Sequence, residues 1–179
     1  MMSRWVVRTP VGIDGLPGAA GGDDLPGSVG GLGMTWDLSC DDIDAAWPGR
    51  PAAADAVALT RVAGARVAMP GKRIKRTLLL RVRPGTEPAV VDRFEADLAA
   101  MPGHIAAIGS WTLSRADHPR WTHAWEQEFA DLDGLNADYL LHPYHWTCVD
   151  RWFDPEIPDS IVDPAIAHLY RWAEGPLLS

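Results

Sequence analysis

The sequence predicts an α+β fold of the ferredoxin-like type, βαββαβ, carried by residues 71–179. Three observations point to it. RIKRTLLLRVRPG, from Arg73, alternates: Leu78, Leu80 and Val82 face one way, Leu79, Arg81 and Arg83 the other, until Pro84-Gly85 ends the run. RWTHAWEQEF, residues 120–129, alternates too, with Trp121, His123, Trp125, Gln127 and Phe129 on one face and Thr122, Ala124, Glu126 and Glu128 on the other. Between these strands Val90, Val91, Phe94, Leu98 and Met101 recur at helical spacing.

The remaining elements follow in order. Thr86 is a good N-cap for the first helix, and Pro88 suits its first turn, where a missing N–H costs nothing. MPGH, residues 101–104, is expected to stop that helix, and IAAIGSWTLS after it reads as a strand. DLDGLNADYLL, residues 131–141, reads as a second helix with Leu132, Leu135, Tyr139 and Leu140 near one stripe. It must end by His142, because Pro143 disfavours helical geometry at the residue before it. VDRWFDPEIPDSIVDP is punctuated by proline and leaves room for one short helix; AIAHLYRW is the last strand. Both helices then lie on one face of an antiparallel sheet. The other face needs cover from a partner chain or from a second unit of the same chain.

Residues 1–70 read as a small, loop-rich β unit. RWVVRT is a short strand, and the Gly/Pro/Asp-rich stretch Gly12–Gly33 reads as loop. MTWDLSC (Met34–Cys40) is a strand, DDIDAAW a short helix begun by an aspartate cap, and AVALTRVAGARVAMP contains a further strand.

Length and apolar content suit one folded domain, or one domain with a smaller companion. A net charge of −8 argues against nucleic acid as a partner. The basic run Lys72–Arg76 reads as a solvated stretch where a strand begins. Cys40 and Cys148 form neither a disulfide framework nor a metal-ligand spacing, and they suit thiols in a reducing compartment. No apolar run approaches the roughly 20 residues that a membrane span takes, and no signal peptide is visible at the start, so a cytoplasmic protein is expected. Nine tryptophans favour an apolar binding cavity.

The segments RTLLLRVRPGT, WTHAWEQEFADLDGLNADYLLHPYH and AHLYRW together resemble the Dabb domain, the stress-responsive α/β-barrel family, over roughly residues 73–172. The specific part is the strand, the helix and the closing His-Pro-x-His. The resemblance implies two such sheets packed face to face as a barrel, usually in a homodimer. MTWDLSCDDIDAAW echoes the strand–acidic turn–helix of the second half, so residues 1–70 read as a degenerate first copy. The expected assembly is a homodimer or an intrachain pseudo-dimer, joined through the sheet face.

Some members of this family, polyketide cyclases of the olivetolic acid cyclase type, close a poly-β-keto chain by aldol condensation without a cofactor. They use a tyrosine and a histidine, which the motif DYLLHPYH carries over to Tyr139 and His145. A pocket histidine of those cyclases is replaced here by Arg76. The chemistry suits the residue types: an imidazole removes an acidic α-proton and a phenol holds the developing oxyanion. The turn after Pro143 can bring His145 back beside the Tyr139 ring. His142 reads first as a helix-ending residue at the dipole's negative end, and it stays among the pocket candidates. His123 is either a satisfied core histidine or a pocket group, and Trp125 either core or pocket wall. Arg76 is either a solvated strand arginine or a seat for a carboxylate, phenolate or enolate. Leu78, Leu80 and Phe94 complete the expected lining.

The function expected is cofactor-independent cyclisation of a small apolar or aromatic, polyketide-like substrate. No metal and no nucleotide site is expected. Two alternatives stay open: a cofactor-free or flavin-assisted oxygenase of quinol-like polyketides, and a non-catalytic stress-responsive barrel that binds a partner.

Overall fold

A computed structural model describes residues 2–178. Eight strands form one antiparallel sheet: β1 Ser3–Thr9, β2 Ala20–Asp23, β3 Met34–Cys40, β4 Asp55–Ala65, β5 Arg73–Leu80, β6 Trp111–Asp117, β7 His123–Phe129 and β8 Ala167–Ala173. Their order is β2-β3-β1-β4-β6-β7-β5-β8. The last four strands have the antiparallel order of a ferredoxin-like sheet, and β2-β3-β1-β4 repeats that order in the first sixty-odd residues. The sheet curls until its ends meet. Leu25 N donates to Tyr170 O at 2.7 Å, and Val29 and His168 exchange two backbone bonds of 2.8 Å each. The result is a nearly closed barrel. Among the described residues no helix is long and apolar enough to cross a membrane.

Period-two alternation gives each strand a lumen side and an outer side. Val6, Val57, Leu59, Leu79, Ala124 and Leu169 pack together in the lumen. Beside them sits a buried ionic cluster. Lys75 Nζ reaches Asp37 at 2.8 Å, Glu126 at 2.5 Å and Thr77 Oγ1 at 2.6 Å. Arg171 reaches Asp37 at 2.7 Å, and Arg4 bridges Asp37 and Glu126. Both strand quartets contribute: Arg4 and Asp37 come from β1 and β3, the others from β5, β7 and β8. The lumen face of the C-terminal strands is therefore covered within a single chain.

On the outer side, helix α2, Pro88–His104, lays Phe94, Leu98 and Met101 against β5–β8. Helix α1, Ile43–Ala46, is capped by Asp42, whose Oδ1 accepts from Asp44 N and Ala45 N. It joins Trp36, Leu38 and Trp47 on the outer side of the N-terminal strands, where Ile13 and Leu16 of the preceding loop also pack.

Several local expectations need correction. The stretch Gly12–Gly33 contains strand β2, because pairing with β3 overrides its weak propensity. Thr86 does not cap α2; its hydroxyl donates to Arg83 O, and Glu87 holds the cap position. MPGH does end the helix, at its last residue, His104. Pro102 removes one donor in the last turn, yet Ile105 N still reaches Met101 O at 3.0 Å. The basic run is solvated only at Lys72: Arg73, Lys75 and Arg76 are buried. Lys75 and Arg76 are consecutive on β5, so one enters the lumen and the other the outer core. Trp121 leaves the face assigned to it, because β7 begins only at His123, and it packs with the lumen cluster beneath Arg8.

Gly30 marks the seam where the barrel closes. It has φ +73°, and a Cβ there would lie 2.8 Å from Ile166 O. Gly30→Ala is expected to destabilise the fold by about 1–3 kcal/mol, since neither backbone has room to yield. Thermal melts would measure the loss, and faster amide exchange at His168 would locate it.

Candidate active site

The floor of the site is the outer side of the C-terminal strands. Cross-strand register sets Arg76 opposite Gln127 of β7 and Tyr170 of β8, and Leu78 opposite Trp125 and His168. The roof is built by α2 and by the chain between β7 and β8. That chain is not a regular α-helix. Gly134–Tyr139 and His145–Val149 are π-helical, with Leu140 N bonded to Leu135 O, five residues back. Such wide turns are frequent at functional sites. The break between them falls at His142, as Pro143 requires.

The break folds the second segment back on the first. The rings of Tyr139 and His145 meet edge to face with centroids 4.9 Å apart. Tyr139 is fully buried and also packs edge-on against Phe129. Its hydroxyl has no hydrogen-bond partner among the described residues. His145 Nδ1 lies 3.1 Å from Asp150 Oδ1 but is not aligned as a hydrogen bond. Both rings line a cavity of about 190 Å³ together with Arg76, Leu78, Leu98 and Trp125. The Trp125 indole N–H is buried and unpartnered among the described residues. Engineered apolar cavities of about 150 Å³ accept benzene, so this space takes one aromatic ring; a longer molecule must project from it.

Arg76 is the most polar group on the wall. Its Nε donates to His168 Nε2 at 2.6 Å, its Nη1 donates to Gln127 Oε1 at 2.6 Å, and its guanidinium lies over the Tyr139 ring at 5.0 Å. Burial pushes the Arg76 pKa down, against the opposing pull of Tyr139 and Tyr170. Burial, then the Arg76 charge and then His145 push His168 down to about 2. His168 is therefore neutral and accepts at Nε2.

Five of the expected site residues thus converge on one cavity: Arg76, Leu78, Trp125, Tyr139 and His145. Leu80, Phe94, His123 and His142 do not line it. Leu80 is two residues beyond Leu78 on β5, buried in the core rather than on the cavity wall. Phe94 stacks edge-on against His123 and Trp152. His123 is a satisfied core histidine: its Nε2 lies 3.0 Å from Glu95, its Nδ1 2.8 Å from Thr122 Oγ1, and Glu95 is also bound by Arg115. Burial lowers the His123 pKa, with Glu95 opposing. His142 accepts Tyr144 N at its Nδ1 and shapes the break. Sequence reasoning missed His168, Ile166 and Phe153. For His168 a signal existed: β8 is the neighbour of β5 in a ferredoxin-like order, and His168, Tyr170 and Trp172 share one side of it.

No curated protein matches the sequence. Among solved structures, the fold is similar to that of a candidate monooxygenase from Lactobacillus acidophilus NCFM, with a TM-score of 0.60 at 8% identity, over 97% of this chain and 96% of that one. An anthrone oxidase-like protein is similar with a TM-score of 0.53 at 8% identity, over 99% of this chain and 95% of that one. A candidate monooxygenase from Fusobacterium nucleatum gives the same values. At such identities the likeness is one of fold. The model of the stress-responsive A/B barrel domain, Dabb, matches residues 74–163, which span β5 through both π-helical segments and so most of the pocket. With half of its length matched in this way, the chain belongs to the Dabb family.

Proposed function

We propose that the protein is a cofactor-independent enzyme that closes a small polyketide-like chain by aldol chemistry. The observation that carries this reading is the meeting of Tyr139 and His145 on the wall of one apolar cavity. His145 removes the α-proton between two carbonyls. The carbanion attacks a second carbonyl, a C–C bond forms, and the resulting alkoxide takes its hydrogen bond from the Tyr139 hydroxyl. A small rotation of the half-exposed Asp150 would align it with His145 Nδ1 and leave Nε2 as the base. The C–C bond closes the ring, the alkoxide takes back the proton that His145 removed, and loss of water then leaves a double bond in the ring. The N-terminal strands take the role that a partner subunit plays in a two-chain barrel, so one chain suffices for one pocket.

A second reading draws support from the fold neighbours described as candidate monooxygenases and as anthrone oxidase-like. The same base would generate a carbanion that dioxygen then traps. One experiment separates the two. The protein is incubated with a linear tri-β-keto thioester, and in parallel with an anthrone, under nitrogen and under isotopically labelled dioxygen. Ring closure under nitrogen with loss of water supports cyclisation. Turnover only with dioxygen, and label in the product, supports the oxygenase. No product in either case ends the enzymatic reading and leaves a binding barrel.

A further inference from the structure

Arg8, Arg73, Lys75, Arg76 and Arg171 are the buried cations among the described residues. Four of them have a carboxylate. Arg8 meets Asp55 at 2.5 Å, Arg73 meets Glu128 at 3.3 Å, Lys75 meets Asp37 and Glu126, and Arg171 meets Asp37. Arg76 forms no ion pair with any described residue. It is 3% exposed, and its two hydrogen bonds go to neutral acceptors, the Gln127 amide and the His168 imidazole. Its Nη2 has no partner among the described residues. Asp150, the one carboxylate on the cavity wall among the described residues, is half-exposed and lies at His145.

An uncompensated charge in an apolar wall is costly, and a cation over one aromatic ring recovers only part of that cost. Each of the other buried cations among the described residues is compensated by a carboxylate. We infer that the missing counter-charge belongs to the ligand: the pocket binds a small aromatic or β-dicarbonyl compound bearing one carboxylate or enolate, seated on Arg76. Gln127 and His168 are positioning residues. They hold Nη1 and Nε and so fix the guanidinium plane, leaving Nη2 for the anion. The inference names the substrate class for the pocket of the proposed enzyme and rests on that reading for any turnover, but not for binding.

The test is calorimetric titration of the whole chain with benzoate and with benzamide, which are nearly the same size and differ in charge. Benzoate is expected to bind at least about tenfold more tightly. Arg76→Met is expected to abolish that preference. Equal affinities in the native chain, or no binding of either probe, would overturn the inference, and this comparison needs no variant to fold. Failure of the cyclase reading is seen separately: benzoate preference without ring closure sinks only the reaction, and ring closure without benzoate preference sinks only the anion seat.

Discussion

Asp37→Asn should lower the stability of the barrel by about 3–5 kcal/mol, the usual effect of removing one side of a buried ion pair. For a chain of this size that is roughly 10 °C in melting temperature. The reason is arithmetic within the cluster. Three cations, Arg4, Lys75 and Arg171, face two carboxylates, Asp37 and Glu126. Asp37 alone contacts all three cations. Its loss leaves three positive charges, those of Lys75 and Arg171 fully buried, with one anion. Lys75→Met, in contrast, leaves two of each sign and should cost less. Urea denaturation of both variants at neutral pH would measure the difference; a D37N chain as stable as the native one would remove the cluster from the account of stability.

The same cluster sets a pH dependence. Despite the opposing effect of burial, the cations hold the Asp37 carboxyl far below the usual carboxylate range, with Lys75 the strongest of them. Arg4 and Lys75 hold Glu126 down in the same sense. For groups whose folded pKa is depressed, the stabilisation is present above the unfolded carboxylate values and is lost as pH falls through the folded ones. The native chain should therefore lose stability steadily below about pH 4, and the D37N chain should show a shallower acid limb.

The second large effect concerns turnover. Tyr139→Phe should lower kcat by about 10²–10³, the range for loss of one oxyanion donor. His145→Ala should lower it by about 10²–10⁴, the range for loss of a general base. Phenylalanine keeps the ring that packs on Phe129 and under Arg76, so the fold and KM should change little. The double variant should fall little further than the worse single one, because the two groups act in one step. Native turnover in the Y139F chain would exclude the phenol from the reaction.

Much of this was legible in residues 73–172, where period-two and helical spacing are local signals. The alternation of β7 separated Trp125 and Gln127 from Ala124 and Glu126, and the structure keeps them apart on opposite sides of the sheet. The Pro143 break was legible because proline acts on its immediate neighbour. What was not legible depends on distant chain. The burial of Lys75 is decided by Asp37, thirty-eight residues earlier. His123 is claimed by Glu95 and Arg115 rather than by the pocket, a competition that spacing does not reveal. Strand β2 exists only because β3 is there to pair with it. The π-helical widening has no sequence period of its own, yet it helps set Tyr139 and His145 against each other.

Closure of the barrel by strands of one polypeptide has a consequence for thermodynamics. Two sheets on separate chains must find one another, and their union weakens on dilution. Here the two quartets are tethered, and a short flexible tether corresponds to an effective concentration of order millimolar. Closing the lumen is then unimolecular and carries no concentration dependence. The symmetry that two identical chains would impose is lifted as well. The outer side of the N-terminal strands can be packed solid with Trp36 and Trp47 while the outer side of the C-terminal strands keeps its cavity open.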